Sequence, residues 1–116
     1  MEVAPESVSL QYGEATVEGE MLAVTENQLE EVVCLTRNSN PAPLISWYLG
    51  DTLLASVLQT NTTEAEGERW RSEARLSHRF SVGDRGSLLR CVVTHSGYSL
   101  SQGQHEVSTR LDILYK

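Results

Sequence analysis

Apolar and polar residues alternate along most of this chain, and this alternation predicts β-strands. The clearest segments are 29–36, 44–49 and 88–93, in which every second side chain is apolar or small. A period of two places alternate side chains on opposite faces of a strand, so these segments are predicted to be half-buried. No segment of useful length follows the period of an amphipathic helix. The sequence therefore predicts an all-β protein.

The same alternation predicts strands elsewhere. In chain order, the predicted strands are 7–12, 20–25, 29–36, 44–49, 69–80, 87–95 and 105–115. Segment 52–58 also favours a strand, but its pattern fits either sheet of a two-sheet protein. Residues 37–43 are predicted to form a loop because of their two prolines, and residues 59–68 and 96–104 because they are rich in polar residues or glycine.

The only two cysteines, Cys34 and Cys91, lie in two of the clearest strands, and Trp47 follows Cys34 by 13 residues in the third. Cysteines on the inner faces of facing sheets, with a tryptophan packed on their bond, form the core of an immunoglobulin-like sandwich. We therefore predict two antiparallel sheets joined by one inter-sheet disulfide. The alternative is a pair of unrelated buried thiols in another all-β fold. A bond between residues 57 apart stabilises a fold by about 4 kcal/mol in the chain-entropy model.

Length and composition restrict the class of protein. The 116 residues suit a single domain, and a net charge of −7 argues against nucleic acid as a partner. No apolar run approaches the roughly 20 residues of a membrane span, so direct membrane insertion is not expected. No secretory signal is present, yet a disulfide-bonded sandwich favours an oxidising compartment. We expect residues 1–116 to be one domain excised from a larger extracellular region.

Four segments resemble the C2-type immunoglobulin domains of cell-adhesion receptors, notably the nephrin and nectin-like families. They are the turn with two prolines and its tryptophan in 34–47, the acidic-x-Gly corner in 84–91, the strand in 91–95 and the last strand in 110–116. The likeness covers nearly the whole chain. It implies an extracellular domain of a single-pass plasma-membrane protein. This domain would bind another cell-surface protein without catalysis and adjoin further immunoglobulin-like domains.

The sequence departs from the resemblance at one core position. Many immunoglobulin domains carry a tyrosine two residues before the second cysteine, where its hydroxyl bonds the backbone of the corner. Here that residue is Leu89. We expect Leu89 to join Trp47 in the core, and Asp84 and Gly86 to hold the corner. This departure favours the C2 subtype over a variable domain.

Several surface residues are candidates for partner binding. Residues 69–80 divide by parity, and one face carries Arg69, Arg71, Arg75 and Arg79, which we call the arginine stripe. Arginine is enriched at interface hot spots and binds carboxylates or sulfates, although charge runs are usually solvated faces. Tyr48, at an outward position, and Tyr98, in a loop, are aromatic candidates or ordinary surface residues.

Asn61-Thr62-Thr63 is the only N-x-Ser/Thr sequon, so Asn61 is a candidate glycosylation site. The alternative is a chance sequon that is never used.

Catalysis and metal binding are not expected. His78, His95 and His105 lie in three separate predicted strands without metal-motif spacing, and no nucleophile elbow or phosphate-binding loop is present. The cysteines lack the close spacing of a redox pair. We expect no cofactor. The leading hypothesis is an adhesion or recognition receptor domain with a homophilic or heterophilic partner. The alternatives are a structural spacer, an immune-type receptor or ligand-binding module, and sulfated-glycan binding through the arginine stripe.

Overall fold

The computed structural model of the protein describes residues 3–13, 15–17, 21–63, 69–95, 97 and 104–114. These residues form ten β-strands and one short 3-10 helix, Val82–Asp84. The strands are β1 Ser7–Tyr12, β2 Ala15–Val17, β3 Met21–Thr25, β4 Leu29–Ser39, β5 Leu44–Leu49, β6 Thr52–Leu53, β7 Val57–Thr63, β8 Trp70–Arg79, β9 Leu88–Thr94 and β10 Gln104–Leu114. In the described part of the chain, no helix is long and apolar enough to cross a membrane.

The strands form two sheets that pack face to face. The first sheet has the order β2-β1-β4-β8-β7, and the second sheet has the order β3-β10-β9-β5-β6. Neighbouring strands are antiparallel with one exception among the described pairs, because β3 runs parallel to β10. The expectation of an immunoglobulin-like sandwich is confirmed, and the second sheet is mixed rather than purely antiparallel.

The disulfide and the tryptophan join the two sheets at the centre of the core. Cys34 on β4 is bonded to Cys91 on β9, which confirms the predicted inter-sheet disulfide. Trp47 on β5 is fully buried, and its indole N–H donates a hydrogen bond of 3.0 Å to the carbonyl oxygen of Ala74 on β8. The buried indole therefore has a partner for its one polar group, as burial requires.

Strand β4 is longer than the sequence indicated. The predicted strand 29–36 extends to Ser39, because the chain resumes pairing with β8 at Ser39 and Trp70 after an irregularity that follows Thr36. Residues 37–39 were therefore wrongly assigned to a loop. Asn40 then forms an isolated bridge with Val3.

The ambiguous segment after β5 divides between the two sheets. Thr52–Leu53 pairs with β5 in the second sheet, whereas Val57–Thr63 pairs with β8 in the first sheet. The predicted loop 59–68 is therefore wrong for residues 59–63. These residues form an edge strand that lies largely in solvent, so no apolar alternation is needed there. Residues 64–68 lie outside the described residues.

Hydrogen bonds from both backbone and side chains hold the corner before β9, where Leu89 replaces the usual tyrosine. Leu89 is fully buried. The carboxylate of Asp84 accepts a hydrogen bond of 2.9 Å from the Ser81 N–H, and the Gly86 N–H donates one of 2.9 Å to the carbonyl oxygen of Leu111. Gly86 has a φ of +83°, which favours glycine. Arg85, which the sequence did not single out, donates to the carbonyl oxygen of Ile113.

Candidate protein-binding surface

The arginine stripe lies on the outer face of the first sheet, where two of its four arginines pair with carboxylates. Arg71 forms an ion pair with Glu73, its neighbour two positions along β8. Arg75 lies 3.1 Å from a carboxylate oxygen of Glu31 on β4. Arg79 donates a hydrogen bond of 2.9 Å to the carbonyl oxygen of Asn27. The stripe is therefore a paired, mixed-charge face, and this weakens the argument for a sulfated ligand.

Three candidates remain, one arginine of the stripe and two tyrosines. Arg69, the first residue of the stripe, is half-buried and lies just before β8. Tyr48 projects from the outer face of the second sheet, so the structure does not bring it together with the arginine stripe. Tyr98 lies outside the described residues. The sequence candidates therefore belong to two opposite faces of the sandwich.

Tyr48 is packed under a charged side chain that the sequence reasoning missed. Arg90 lies directly opposite Tyr48 on β9, and its guanidinium carbon is 5.2 Å from the centroid of the Tyr48 ring. This is the range of a cation–π contact. Arg90 also donates hydrogen bonds of 2.7 and 3.0 Å to one carboxylate oxygen of Glu106 on β10, and one of 2.8 Å to the carbonyl oxygen of Gly50. The guanidinium is thus held in one orientation.

The electrostatics of Arg90 follow from these partners. The hydrogen bond with Glu106 raises the pKa of Arg90, while burial lowers it. Asp51 contributes a second carboxylate, at 3.7 Å from the guanidinium. Arg90 therefore carries its charge at every physiological pH. The preceding residue, Leu89, points inward, so the alternation along β9 already indicated that Arg90 points outward. Its contact with Tyr48 depended on the strand register.

Apolar side chains surround this pair. Leu53 lies opposite Tyr48 on β6 and is 61% exposed, and Leu88 lies two residues before Arg90 on the same face. Val92, two residues after Arg90, is nearly buried although it points outward. We define the Tyr48 patch as Tyr48, Leu53, Leu88, Arg90 and Val92. It combines an aromatic ring, an oriented arginine and exposed leucines on one sheet face.

The distribution of exposed apolar residues also favours the second sheet. The described residues include eight large hydrophobic side chains that are exposed. Five of these eight lie on strands of the second sheet, at outward positions: Met21, Leu44, Leu53, Leu88 and Leu114. Leu29 and Leu58 belong to the first sheet, and Val82 to the 3-10 helix. The outer face of the second sheet is therefore the more apolar one.

The histidines have structural contacts. His95 is nearly buried, and its Nδ1 accepts a hydrogen bond from the Gly97 N–H while its Nε2 lies 2.8 Å from the carbonyl oxygen of Pro41. This geometry requires the tautomer that carries its proton on Nε2. His78 packs edge-on against Phe80, and His105 lies on β10. Among the described residues, no group of His, Cys, Asp and Glu side chains could hold a metal ion.

Two further polar side chains link the sheets, and the sequence reasoning singled out neither. Glu30 on β4 accepts hydrogen bonds of 2.9 Å from the Tyr12 hydroxyl on β1 and from the Thr25 N–H on β3, which belongs to the other sheet. Burial, followed by the hydrogen bond and the charge of Glu30, raises the pKa of Tyr12. Gln59 on β7 bonds the backbone of Pro43 and Ile45 across the opening between the sheets. Both roles depend on which strands meet, which the local pattern does not show.

The disulfide, the buried tryptophan and the two-sheet topology together define an immunoglobulin-like domain. The chain belongs to the family of CD80-like C2-set immunoglobulin domains, whose family model matches residues 13–102. The resemblance to C2-type domains is thereby confirmed. Domains of this family are typically parts of extracellular receptor regions, which are not enzymes as a rule.

Solved structures share the fold at low sequence identity. The crystal structure of Rst D1-D2 matches with a TM-score of 0.83 and 16% identity over 97% of this chain and 51% of that one. The full ectodomain (Ig1-Ig3) of mouse nectin-like molecule 4 matches with a TM-score of 0.79 and 21% identity, over 98% of this chain and 35% of that one. The IgNAR antibody domain C1 matches with a TM-score of 0.64 and 19% identity, over 95% and 97% of the two chains.

The chain spans about half the length of Rst D1-D2 and about a third of the nectin-like ectodomain. No curated protein sequence matches it.

Proposed function

We propose that this chain is one immunoglobulin-like domain in the extracellular region of a cell-surface adhesion or recognition receptor. It acts by binding another cell-surface protein, without catalysis, through the outer face of the second sheet. The parent protein is a single-pass plasma-membrane protein in which further immunoglobulin-like domains adjoin this one. The matches to Rst D1-D2 and to the nectin-like ectodomain Ig1-Ig3, both of which contain more than one domain, support this context.

The observation that carries the proposal is the Tyr48 patch. Interface hot spots are enriched in tyrosine and arginine, and they sit among apolar contacts that exclude water. Tyr48 and Arg90 meet this description, because the guanidinium lies over the ring and exposed leucines flank it. The stripe arginines Arg71, Arg75 and Arg79 also have partners, but no aromatic ring contact is found for them among the described residues.

The pre-formed orientation of Arg90 supports recognition. A free arginine loses side-chain entropy when a partner immobilises it, at a cost of about 0.5–1.5 kcal/mol per side chain. Glu106, Gly50 and Tyr48 already hold Arg90 in the unbound domain. A partner with a carboxylate or a carbonyl group near the patch can therefore accept hydrogen bonds from the N–H groups of Arg90 that Glu106 and Gly50 do not use. Such binding does not need to order this side chain.

Two exposed leucines on opposite faces provide a matched test. Leu53 belongs to the Tyr48 patch and is 61% exposed, while Leu58 belongs to the first sheet and is 68% exposed. The oxidised domain should be studied by analytical ultracentrifugation over a wide concentration range, together with Leu53→Glu and Leu58→Glu. Self-association that Leu53→Glu abolishes and Leu58→Glu leaves intact would establish homophilic binding through the Tyr48 patch.

If the domain is a monomer at all concentrations, the next experiment looks for a different protein as the partner. Multivalent domain should then be applied to cells, with the same two leucine variants as probes. Cell binding that only Leu53→Glu removes supports a heterophilic partner at the same face. Binding that only Leu58→Glu removes would contradict the proposed face, and the absence of both self-association and cell binding would favour a structural spacer.

A further inference from the structure

The edge strand β7 carries the sequon on the open side of the first sheet. Asn61, Thr62 and Thr63 are all exposed on β7, and in the described part of the chain β7 pairs with β8 alone. We propose that Asn61 carries an N-linked glycan and that this glycan covers the open edge of β7 against pairing with another chain. The inference rests on the proposed function, because such glycans are added in the secretory pathway.

The sequence of β7 explains why this edge needs cover. Unpaired backbone groups on an edge strand are a template for another strand, and proteins usually block them with lysine, proline, bulges or short length. Val57–Thr63 has seven residues and is the longest of the four described edge strands, the others being β2, β3 and β6. Residues 52–63 contain no charged residue, proline or glycine. This composition is typical of segments that self-associate.

An exposed leucine makes pairing of another chain with β7 more favourable. Leu58 has the highest exposure of the large hydrophobic side chains in the described residues, at 68%. It lies three residues before Asn61 on the same strand. A second chain that pairs with β7 would therefore gain both backbone hydrogen bonds and an apolar contact.

The Asn61 amide uses its oxygen, and not its nitrogen, in the hydrogen bond that the structure shows. The carbonyl oxygen Oδ1 of Asn61 accepts a hydrogen bond of 3.0 Å from Nε2 of Gln59. Gln59 is itself held by the carbonyl oxygen of Pro43, at 2.7 Å, and by the Ile45 N–H, at 3.1 Å. The nitrogen Nδ2 of Asn61 is therefore on the side of the amide that faces away from Gln59. Because Asn61 is exposed, a sugar can be attached at Nδ2 while the hydrogen bond to Oδ1 is kept.

The chemistry of the modification uses a co-reactant of a defined class, a lipid-linked diphosphate oligosaccharide. Nδ2 of Asn61 forms a bond to the anomeric carbon of the first sugar. The bond between that carbon and the diphosphate oxygen breaks, the lipid diphosphate leaves with the electron pair, and Nδ2 releases one proton. The sequon supplies the hydroxyl residue two positions later, Thr63.

The first test asks whether Asn61 is modified. The whole chain, secreted from animal cells behind a cleavable signal, should be analysed by intact mass spectrometry before and after treatment with peptide N-glycosidase F. The enzyme should remove a glycan mass and convert Asn61 to aspartate. Asn61→Gln and Thr63→Ala should lack that mass, whereas Thr63→Ser should keep it. A folded, secreted wild-type domain without the mass would overturn the inference.

The second test asks what the glycan does. Light scattering should show faster aggregation of the folded Asn61→Gln and Thr63→Ala variants than of the wild type and Thr63→Ser at equal concentration. Adding Thr60→Lys to Asn61→Gln should restore the wild-type rate, because Thr60 is an exposed residue of β7 and a lysine on an edge strand blocks edge pairing. Unchanged aggregation without the glycan, or no rescue by the lysine, would refute the shielding role.

These readouts are independent of the proposed function. Absence of the glycan mass, or of its effect on aggregation, would refute this inference while binding through the Tyr48 patch stood. Failure of the domain to bind itself or cells, with the glycan and the edge effect present, would contradict only the proposed binding function.

Discussion

The guanidinium carbon of Arg90 lies 5.2 Å from the centroid of the Tyr48 ring, on the outer face of the second sheet. The two residues are direct cross-strand partners on β9 and β5. Such pairs are the units through which side chains stabilise a sheet. Here the pair also places a flat aromatic surface and a fixed positive charge at the centre of the most apolar face.

Replacing Arg90 by lysine should destabilise the domain by about 1 kcal/mol. A lysine cannot bond Glu106 and the carbonyl oxygen of Gly50 at once while it covers the Tyr48 ring. Arg75→Lys is the matched control, since that arginine forms one exposed ion pair with Glu31 and such pairs contribute about 0–1 kcal/mol. Urea unfolding measures both. Equal losses in the two variants would show that the Arg90 network adds nothing beyond a surface ion pair.

The domain should bind heparin only weakly. Its net charge is −7, and Arg71 and Arg75 in the stripe are already paired with carboxylates. We expect elution from a heparin column at low salt, with no change in the double variant Arg69→Glu and Arg71→Glu. Elution at high salt that the double variant abolishes would instead support sulfated-glycan binding through the arginine stripe.

Tyr12 should make the domain less stable at high pH. Burial and Glu30 raise its pKa in the folded state above the ordinary value of about 10. Its contribution is complete below pH 10, where both states are protonated. It is lost as the pH rises from there through the folded pKa, because the unfolded state releases its proton first. Tyr12→Phe should therefore show a shallower loss of unfolding free energy above pH 10.

The same variant has a second, pH-independent effect. Removing the hydroxyl that donates to Glu30 should lower the free energy of unfolding by about 1 kcal/mol at neutral pH. Chemical denaturation at a series of pH values separates the two effects. If the wild type and Tyr12→Phe lose stability in parallel above pH 10, the raised pKa of Tyr12 is wrong.

Ser72→Ala should leave the stability unchanged or raise it by about 1 kcal/mol. The Ser72 hydroxyl is fully buried on β8 and has no hydrogen-bond partner in the described structure, and the same is true of Ser39 on β4. A buried unsatisfied hydroxyl is unfavourable, and alanine removes it with little change of volume. Thermal unfolding of both alanine variants checks this. A clear loss of stability would mean that these hydroxyls are hydrogen-bonded in solution.

The sequence by itself determined which side chains form the core. The period of two along a strand is a local property, so the inward positions of Val32, Cys34 and Trp47 could be predicted without knowing which strands are neighbours. The disulfide was predicted because two inward cysteines with a tryptophan between them in the chain are typical of an immunoglobulin-like core, and the structure shows the bond. The outward position of Tyr48 was predictable for the same reason.

Only the tertiary structure decided what lies beside each outward side chain. Tyr48 meets Arg90 because of the register between β5 and β9, and Arg75 meets Glu31 because β8 pairs with β4. The sequence also did not show that the chain moves from the second sheet at β6 to the first sheet at β7, since edge strands need no apolar face. Pairing and sheet order depend on contacts between residues that are distant in the chain, whereas a local pattern of polarity determines which face of a strand is buried but not which strand is its neighbour.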